Sequence, residues 1–420
     1  PPIAAGALAR AGHPRLARWR AGRRVLRQCR LFSTQPARAV GVGSLNREHT
    51  MSTPSIQTRL QAALALQHAG QFAQAIDDYL DILSQHPDQH DAHHQLGVAY
   101  SNHGQQEVAL THLQRALQAP QVPGGYWLAV VDALTGLGRH SEAQHWLVKA
   151  RQRGLPASEL LGRAQATNPP PEVQEQMFAH MQREELDACR ALTHPLLAQY
   201  PAFGHGWKML AYLFQLNGEY QPALEAGQQA TFWLPDDPEV FNNLGISARS
   251  VGELALAEQS YRQALALDPN RVDTHYNLSA LLYEQGRRRE AEPPCRRALE
   301  LRPNYPAALN NLAYDFVEVE RFEDALPLFR RLSTIFTAVH AVERDREARG
   351  MVGHALRKLG RLDEALPVLL ALEREWDAVA QPQPDVFEDL AELYAARGDR
   401  ARADEYRRLI AELNARPAPP

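Results

Sequence analysis

Along most of this chain, apolar and small residues return in a fixed register, punctuated by glycine. Gly70, Gly104 and Gly138 recur at one fixed interval, and Gly218, Gly252 and Gly286 recur at the same interval. The residues around each glycine repeat too. Around Gly252 stand Phe241, Leu244, Gly245, Ala257, Tyr261, Ala264 and Pro269, and around Gly286 stand His275, Leu278, Ser279, Ala291, Cys295, Ala298 and Pro303 at the same offsets. The pattern predicts a helical hairpin. Leu244 and Gly245 put an apolar and a small residue on one face of a first helix. The glycine at the turn supplies backbone angles that other residues resist. In the second helix, Ala257 or Ala291 lets the two backbones approach. The closing proline has no amide donor and disfavours a helical residue before it, so it ends the second helix.

The register predicts ten hairpins, with turns at Gly70, Gly104, Gly138, Glu184, Gly218, Gly252, Gly286, Glu320, Gly360 and Gly398. Glu184 and Glu320 replace glycine, but each lies one such interval from a neighbouring turn. Their units keep other landmarks: Cys189 and Pro201 in one, Leu312, Ala313, Phe316, Ala325 and Phe329 in the other. The period breaks after Gly138, where about a dozen extra positions fall between Arg151 and Pro171. That stretch ends Thr167-Asn168-Pro169-Pro170-Pro171, which cannot continue a helix. The expected organisation is a block of three units over 57–155, a proline-rich joint over 156–171, and a block of about seven over 172–414. Wider spacings from Glu320 to Gly360 and from Gly360 to Gly398 predict longer helices or loops near Thr334–Arg349 and Ala380–Pro384. A last helix from about Arg402 to Asn414 alternates charges (Asp404, Glu405, Arg407, Arg408, Glu412), as the polar end of a stack requires. Residues 415–420 are expected to be a disordered tail.

A period of roughly 34 residues with an aromatic, a Leu-Gly pair, a small residue, an aromatic, a small residue and a proline resembles the tetratricopeptide repeat (TPR). The resemblance implies an all-α, right-handed TPR solenoid: a superhelix whose units stack because one hairpin cannot bury its apolar face alone. It also implies that the first helices line the inner face.

Residues 1–56 read as different material, a basic and disordered leader. The first 50 residues hold ten arginines and one acid, about +9, and the rest hold 35 basic and 48 acidic residues, about −13. Met51 is read as the natural start, with the stretch before it a translated leader. The alternative is an organelle transit peptide, which is rich in arginine and poor in acids. Arginine outnumbers lysine 42 to 3, which points to a GC-rich, bacterial genome. No run of 18 apolar residues exists to span a membrane. Three cysteines cannot build a disulfide framework, and Cys189 and Cys295 occupy core positions of their repeats, so a reducing, cytoplasmic setting is expected. The acidic body speaks against nucleic acid. Arg287, Arg288, Arg289, Arg296 and Arg297 make the one basic cluster, read as a solvated helix face, with an acidic partner as the alternative.

Motifs for catalysis are missing. There is no GxxxxGK, no GxGxxG after a strand, no HExxH and no Cys-x-x-Cys. His86, His90, His93 and His94 could suggest a zinc or nickel site. His93, however, takes the first aromatic position of its repeat, as His275 does in its own, which favours a structural role. Asp77-Asp78 and Asp236-Asp237 belong to the repeat pattern. The expectation is a non-enzyme with no cofactor and no metal.

A second resemblance is narrower. Asn168-Pro169-Pro170-Pro171, the segment from Tyr200 to Lys208, Phe241-Asn242-Asn243-Leu244-Gly245 and Leu309-Asn310-Asn311-Leu312-Ala313 are similar to the TPR arm of bacterial SPINDLY-type O-linked N-acetylglucosamine transferases and of some TPR sulfotransferases. It covers about residues 170–335 and implies a substrate-recruiting arm. Transferase activity is not implied, since the residues after the arm stay in repeats. A carboxylate clamp fails on the residues: its slots read Lys208, Tyr212, Asn243, Asp273 and Asn277, and Asp273 has the wrong sign. What remains is an adaptor for extended protein segments. Asn243, Asn277 and Asn311 occupy one polar position of three successive first helices, and side-chain amides both donate and accept. The resembled arms carry a similar asparagine ladder. Lys208, Tyr212, Asn242, Tyr276, Tyr283, Asn310 and Tyr314 are the expected neighbours in this groove, with Tyr276 or Tyr283 able to turn inward instead. The bland alternative is an asparagine merely tolerated on a wet surface.

Overall fold

The computed structural model describes residues 55–377 and 384–414, and the described residues form 21 α-helices. All of the expected leader but Ser55 and Ile56, the tail and most of the Ala380–Pro384 segment lie outside them. Ten hairpins follow one another. The first three are α1 (Ile56–His68) with α2 (Phe72–Gln85), α3 (His90–Asn102) with α4 (Gln106–Ala116), and α5 (Gly124–Gly136) with α6 (His140–Gln152). After a single helix, α7 (Ala157–Ala166), come α8 (Pro171–Gln182) with α9 (Leu186–Gln199), α10 (Gly204–Leu216) with α11 (Tyr220–Trp233), and α12 (Pro238–Ser250) with α13 (Leu254–Leu267). The remainder are α14 (Val272–Glu284) with α15 (Arg288–Leu301), α16 (Pro306–Glu318) with α17 (Phe322–Ala338), α18 (Val342–Lys358) with α19 (Leu362–Asp377), and α20 (Pro384–Ala396) with α21 (Arg400–Asn414). Helices pack on their neighbours in sequence, the main contacts of α7 being with α5, α6 and α11, so the fold is an all-α solenoid.

All ten expected turn residues adopt left-handed backbone, Glu184 and Glu320 at φ 58° among them. The residue after each turn donates its N–H to a carbonyl five residues back, as Glu185 does to His180 and Arg321 to Phe316. This closes the first helix in a Schellman motif. Five residues after every turn stands a small side chain, Ala257 and Ala291 among nine alanines and Cys189 the exception, and none is more than 1% exposed. The two backbones meet there. Gly245 supplies the reciprocal gap in α12, against the ring of Tyr261.

Two further turns adopt the same conformation, at Gly154 and His340. His340 joins a second helix to the next first helix, and Gly154 joins one to the single helix α7. Gly154 leads into α7, which occupies the stretch expected to be a joint. That joint is packed. The side chain of Gln144, fully buried, accepts from Ala202 N–H at 2.8 Å and donates to Thr167 O at 3.0 Å. Arg151 lies 3.8 Å over the Phe232 ring and donates to Gln229 at 2.6 Å. Leu160 and Ala164 of α7 share one core with Ala202 and Trp233. The longer spacing near Thr334–Arg349 is helix: α17 and α18 have 17 residues each.

The prolines that close second helices sit just past them, as Pro201, Pro269 and Pro303 follow α9, α13 and α15. Others are carried inside helices: Pro195, Pro293, Pro294, Pro327 and Pro367. Tertiary packing overrides the local preference there.

Arg287 and Arg288 of the arginine cluster join repeats. Arg287 reaches Glu258 of the preceding second helix at 2.6 Å, and one repeat later Arg321 reaches Glu292 at 3.3 Å. Arg288 binds Asp315 and Glu318, while Arg296 and Arg297 pair with Glu292 and Glu300. The two buried thiols are held by the core. Burial pushes Cys295 up to about 11 and raises Cys189, which leaves both in the unreactive thiol form.

Candidate functional site

Between α10 and α16, successive first helices touch one another: α10 with α12, α12 with α14, α14 with α16. The second helices in this stretch make no comparable contact, so the first helices form the tighter side of the stack. Asn243, Asn277 and Asn311 stand at the same register on that side, nine residues before their turns, and each is half-buried.

The structure links two of these three through Asn242. Its side chain is buried, and its Oδ1 accepts from the Thr274 hydroxyl at 3.0 Å and from Asn277 Nδ2 at 3.1 Å. Its Nδ2 donates to Asn243 Oδ1 at 3.3 Å. Gln215 extends the chain backwards, donating to Asn243 O and to Ser247 Oγ, both at 2.6 Å. A polar strip thus crosses α10, α12 and α14. Asn242, expected to face a partner, is instead internal to the protein. Buried polar groups need partners, and this one has three.

Lys208 is also taken up. Its Nζ lies 2.8 Å from Asp237 and 2.7 Å from Glu239, at the start of the next first helix. Burial works against its charge, but the two carboxylates outweigh that and raise its pKa. Asp237 meanwhile caps α12 by accepting from Glu239 N–H at 2.9 Å. Lys208 is therefore a strut between repeats and not an open anchor.

The aromatic residues divide. Tyr276 packs edge-on against Tyr305 with centroids 5.2 Å apart, and both it and Tyr283 lie against the apolar core. Burial raises the pKa of both hydroxyls. Tyr212 is half-buried. Tyr314 is exposed, its ring resting on Phe329 at 5.3 Å, and Asn310 beside it is exposed as well. Of the expected groove residues, Asn310 and Tyr314 are exposed, and Asn243, Asn277, Asn311 and Tyr212 are half-buried. Gln215, Ser247 and Thr274 were not anticipated. Their signal is a polar side chain at a helix position that is buried (Ser247, Thr274) or half-buried (Gln215), readable only once the neighbouring repeat is in place.

His93 and His275, at the first aromatic position of their repeats, have structural partners. His93 and His275 each place Nε2 at 2.9 Å from the carbonyl of the proline six residues earlier, Pro87 and Pro269. Trp207 Nε1 donates to Pro201 O in the same way at 2.9 Å. This is a repeat feature, locking the first helix to the loop before it. The other nitrogen of His93 meets His112 Nδ1 at 3.0 Å, and His94 stacks on Tyr126 at 4.0 Å. No helix among the described residues is long and apolar enough to cross a membrane.

Family models of the tetratricopeptide repeat match residues 60–125 and 310–380, with further TPR matches at 249–286 and 276–302. Those stretches are tetratricopeptide repeats. No curated protein matches the chain in sequence. Among solved structures it is similar to MamA (15% identity, covering 41% of this chain and 95% of that one, TM-score 0.36). It is similar also to the TPR domain of P58(IPK) (16% identity, 86% and 99%, TM-score 0.30). A third is a tetratricopeptide repeat protein from Parabacteroides merdae (14% identity, 57% and 91%, TM-score 0.38).

Proposed function

We propose that this tetratricopeptide-repeat protein is a non-catalytic scaffold that holds an extended segment of a partner protein along the first helices α12, α14 and α16. The observation that carries the reading is the row Asn243, Asn277 and Asn311 at one register on the tighter side of the stack. Side-chain amides can pair with a peptide backbone whatever its side chains are. Tyr314, exposed and rigidly backed by Phe329, offers one apolar anchor beside the row.

The same row favours a second reading, a recruiting arm for a protein O-glycosyltransferase or sulfotransferase carried on another chain, because those arms present asparagines in this way. The two readings share the groove and differ in the partner. Co-purification of a transferase with the native protein distinguishes them.

An arrayed library of short peptides tests the groove. The triple change Asn243→Ala, Asn277→Ala and Asn311→Ala should weaken binding by at least about tenfold, since each lost backbone pairing is worth about 0.5–1.5 kcal/mol. The melting temperature should hold. A triple variant that binds the same peptides equally well removes this groove from the account.

A further inference from the structure

We propose that Asn242 is a positioning residue that gives the asparagine row a fixed polarity, with hydrogen-bond donors at Asn243 and an acceptor at Asn277. This rests on the groove reading above and specifies how a peptide would be read by it.

The polarity follows from Thr274. Its side chain is fully buried, and its hydroxyl has one partner among the described residues, Asn242 at 3.0 Å. A buried hydroxyl proton needs an acceptor, so the Asn242 atom facing α14 is its carbonyl oxygen. That same oxygen lies 3.1 Å from the Asn277 amide, which must then present Nδ2 inward. Asn277 Oδ1 is left over. On the other side, Asn242 Nδ2 donates to Asn243 Oδ1 at 3.3 Å, which leaves the Asn243 Nδ2 group over. Neither leftover group has a hydrogen bond among the described residues, and both asparagines are half-exposed. A peptide crossing them would therefore give a carbonyl to Asn243 and an N–H to Asn277. An asparagine amide can otherwise turn over and exchange donor for acceptor. Asn242 removes that freedom before binding, which is preorganisation. Gln215 is a separate brace, holding the backbone oxygen of Asn243.

The test uses the strongest peptide from the array, resynthesised with a fluorescent label and with each backbone amide replaced in turn by an ester. An ester has no N–H to donate. One ester position should weaken binding to the parent protein by about tenfold. The same ester should add no loss in Asn277→Ala, and should still weaken Asn243→Ala. Asn242→Asp keeps an oxygen for Thr274 and Asn277 but turns a carboxylate toward Asn243, whose amide must then donate inward. Its affinity should fall about tenfold or more while the ester response at Asn277 persists. Thr274→Val, which keeps the shape and removes only the hydroxyl, serves should Asn242→Asp fail to fold, and should blunt the ester response. If Asn243→Ala and Asn277→Ala lose binding while the Asn242 and Thr274 variants behave as the parent, the positioning role is wrong and the groove stands. If all of them bind as the parent does, the groove reading itself falls.

Discussion

The backbone of Gly245 lies so close to the ring of Tyr261 that a Cβ there would sit 2.5 Å from Tyr261 Cε1. Tyr261 is fully buried. Gly245→Ala should therefore destabilise the protein by about 1–3 kcal/mol through overpacking, although alanine is the better helix former. Urea unfolding measures it. An unchanged or raised midpoint would show that the hairpin yields at this point.

Glu184 and Glu320 hold φ of 58° where the other turns between paired helices use glycine. A side chain in that region costs about 1–2 kcal/mol, and glycine returns about 0.4–1 kcal/mol of that through its freer unfolded chain. Glu184→Gly and Glu320→Gly should each raise stability by about 0.5–1 kcal/mol. Denaturant midpoints that fall in both variants would mean that these glutamates do something the backbone geometry does not reveal.

Gln144 ties α6 to Thr167 and to Ala202 with no exposure to solvent. Replacing it with alanine strands a buried N–H and a buried carbonyl, at about 1–3 kcal/mol. Calorimetry of Gln144→Ala should show a lower melting temperature. A parent-like melt would mean that water takes over both bonds and that the packing around α7 suffices.

Burial holds the imidazole of His94 at about 4, Asp91 opposing it only in part. Burial, with His93 and Arg115 nearby, holds His112 at about 4 as well. An unfolded chain takes up these protons near pH 6.5. Between those values the unfolded state binds more protons, so stability falls as pH drops from about 6.5 toward 4. Most shifted carboxylates, such as Glu258 and Glu375, are depressed and act lower still, whereas burial raises Asp315. Melting temperatures across that window should slope more gently in a His94→Gln, His112→Gln double variant. Identical slopes in variant and parent would exclude these two residues as the source.

The amino-acid order was enough for everything that recurs within one repeat. Turn, small contact residue and closing proline depend on neighbours inside the same hairpin, and a fixed period copies them along the chain. Even Glu184 and Glu320 were placed by spacing and by the other landmarks of their units. What the order did not disclose is whatever involves the next repeat or breaks the period. Helix α7 carries too few landmarks to register as a unit, and its place depends on Trp233 and Ala202, which only the stacked neighbour supplies. The row of asparagines was legible in the sequence. Which of its members meet solvent was not. Asn242 and Asn243 are adjacent and chemically identical, yet about 100° of helix rotation puts one against Thr274 and the other on the open side. Lys208 reads as a free cation until the start of α12 brings Asp237 and Glu239 to it. Periodicity sets the register of a side chain on its own helix, and the packing of the adjoining helix decides whether that side chain is spent inside the protein or left for a partner.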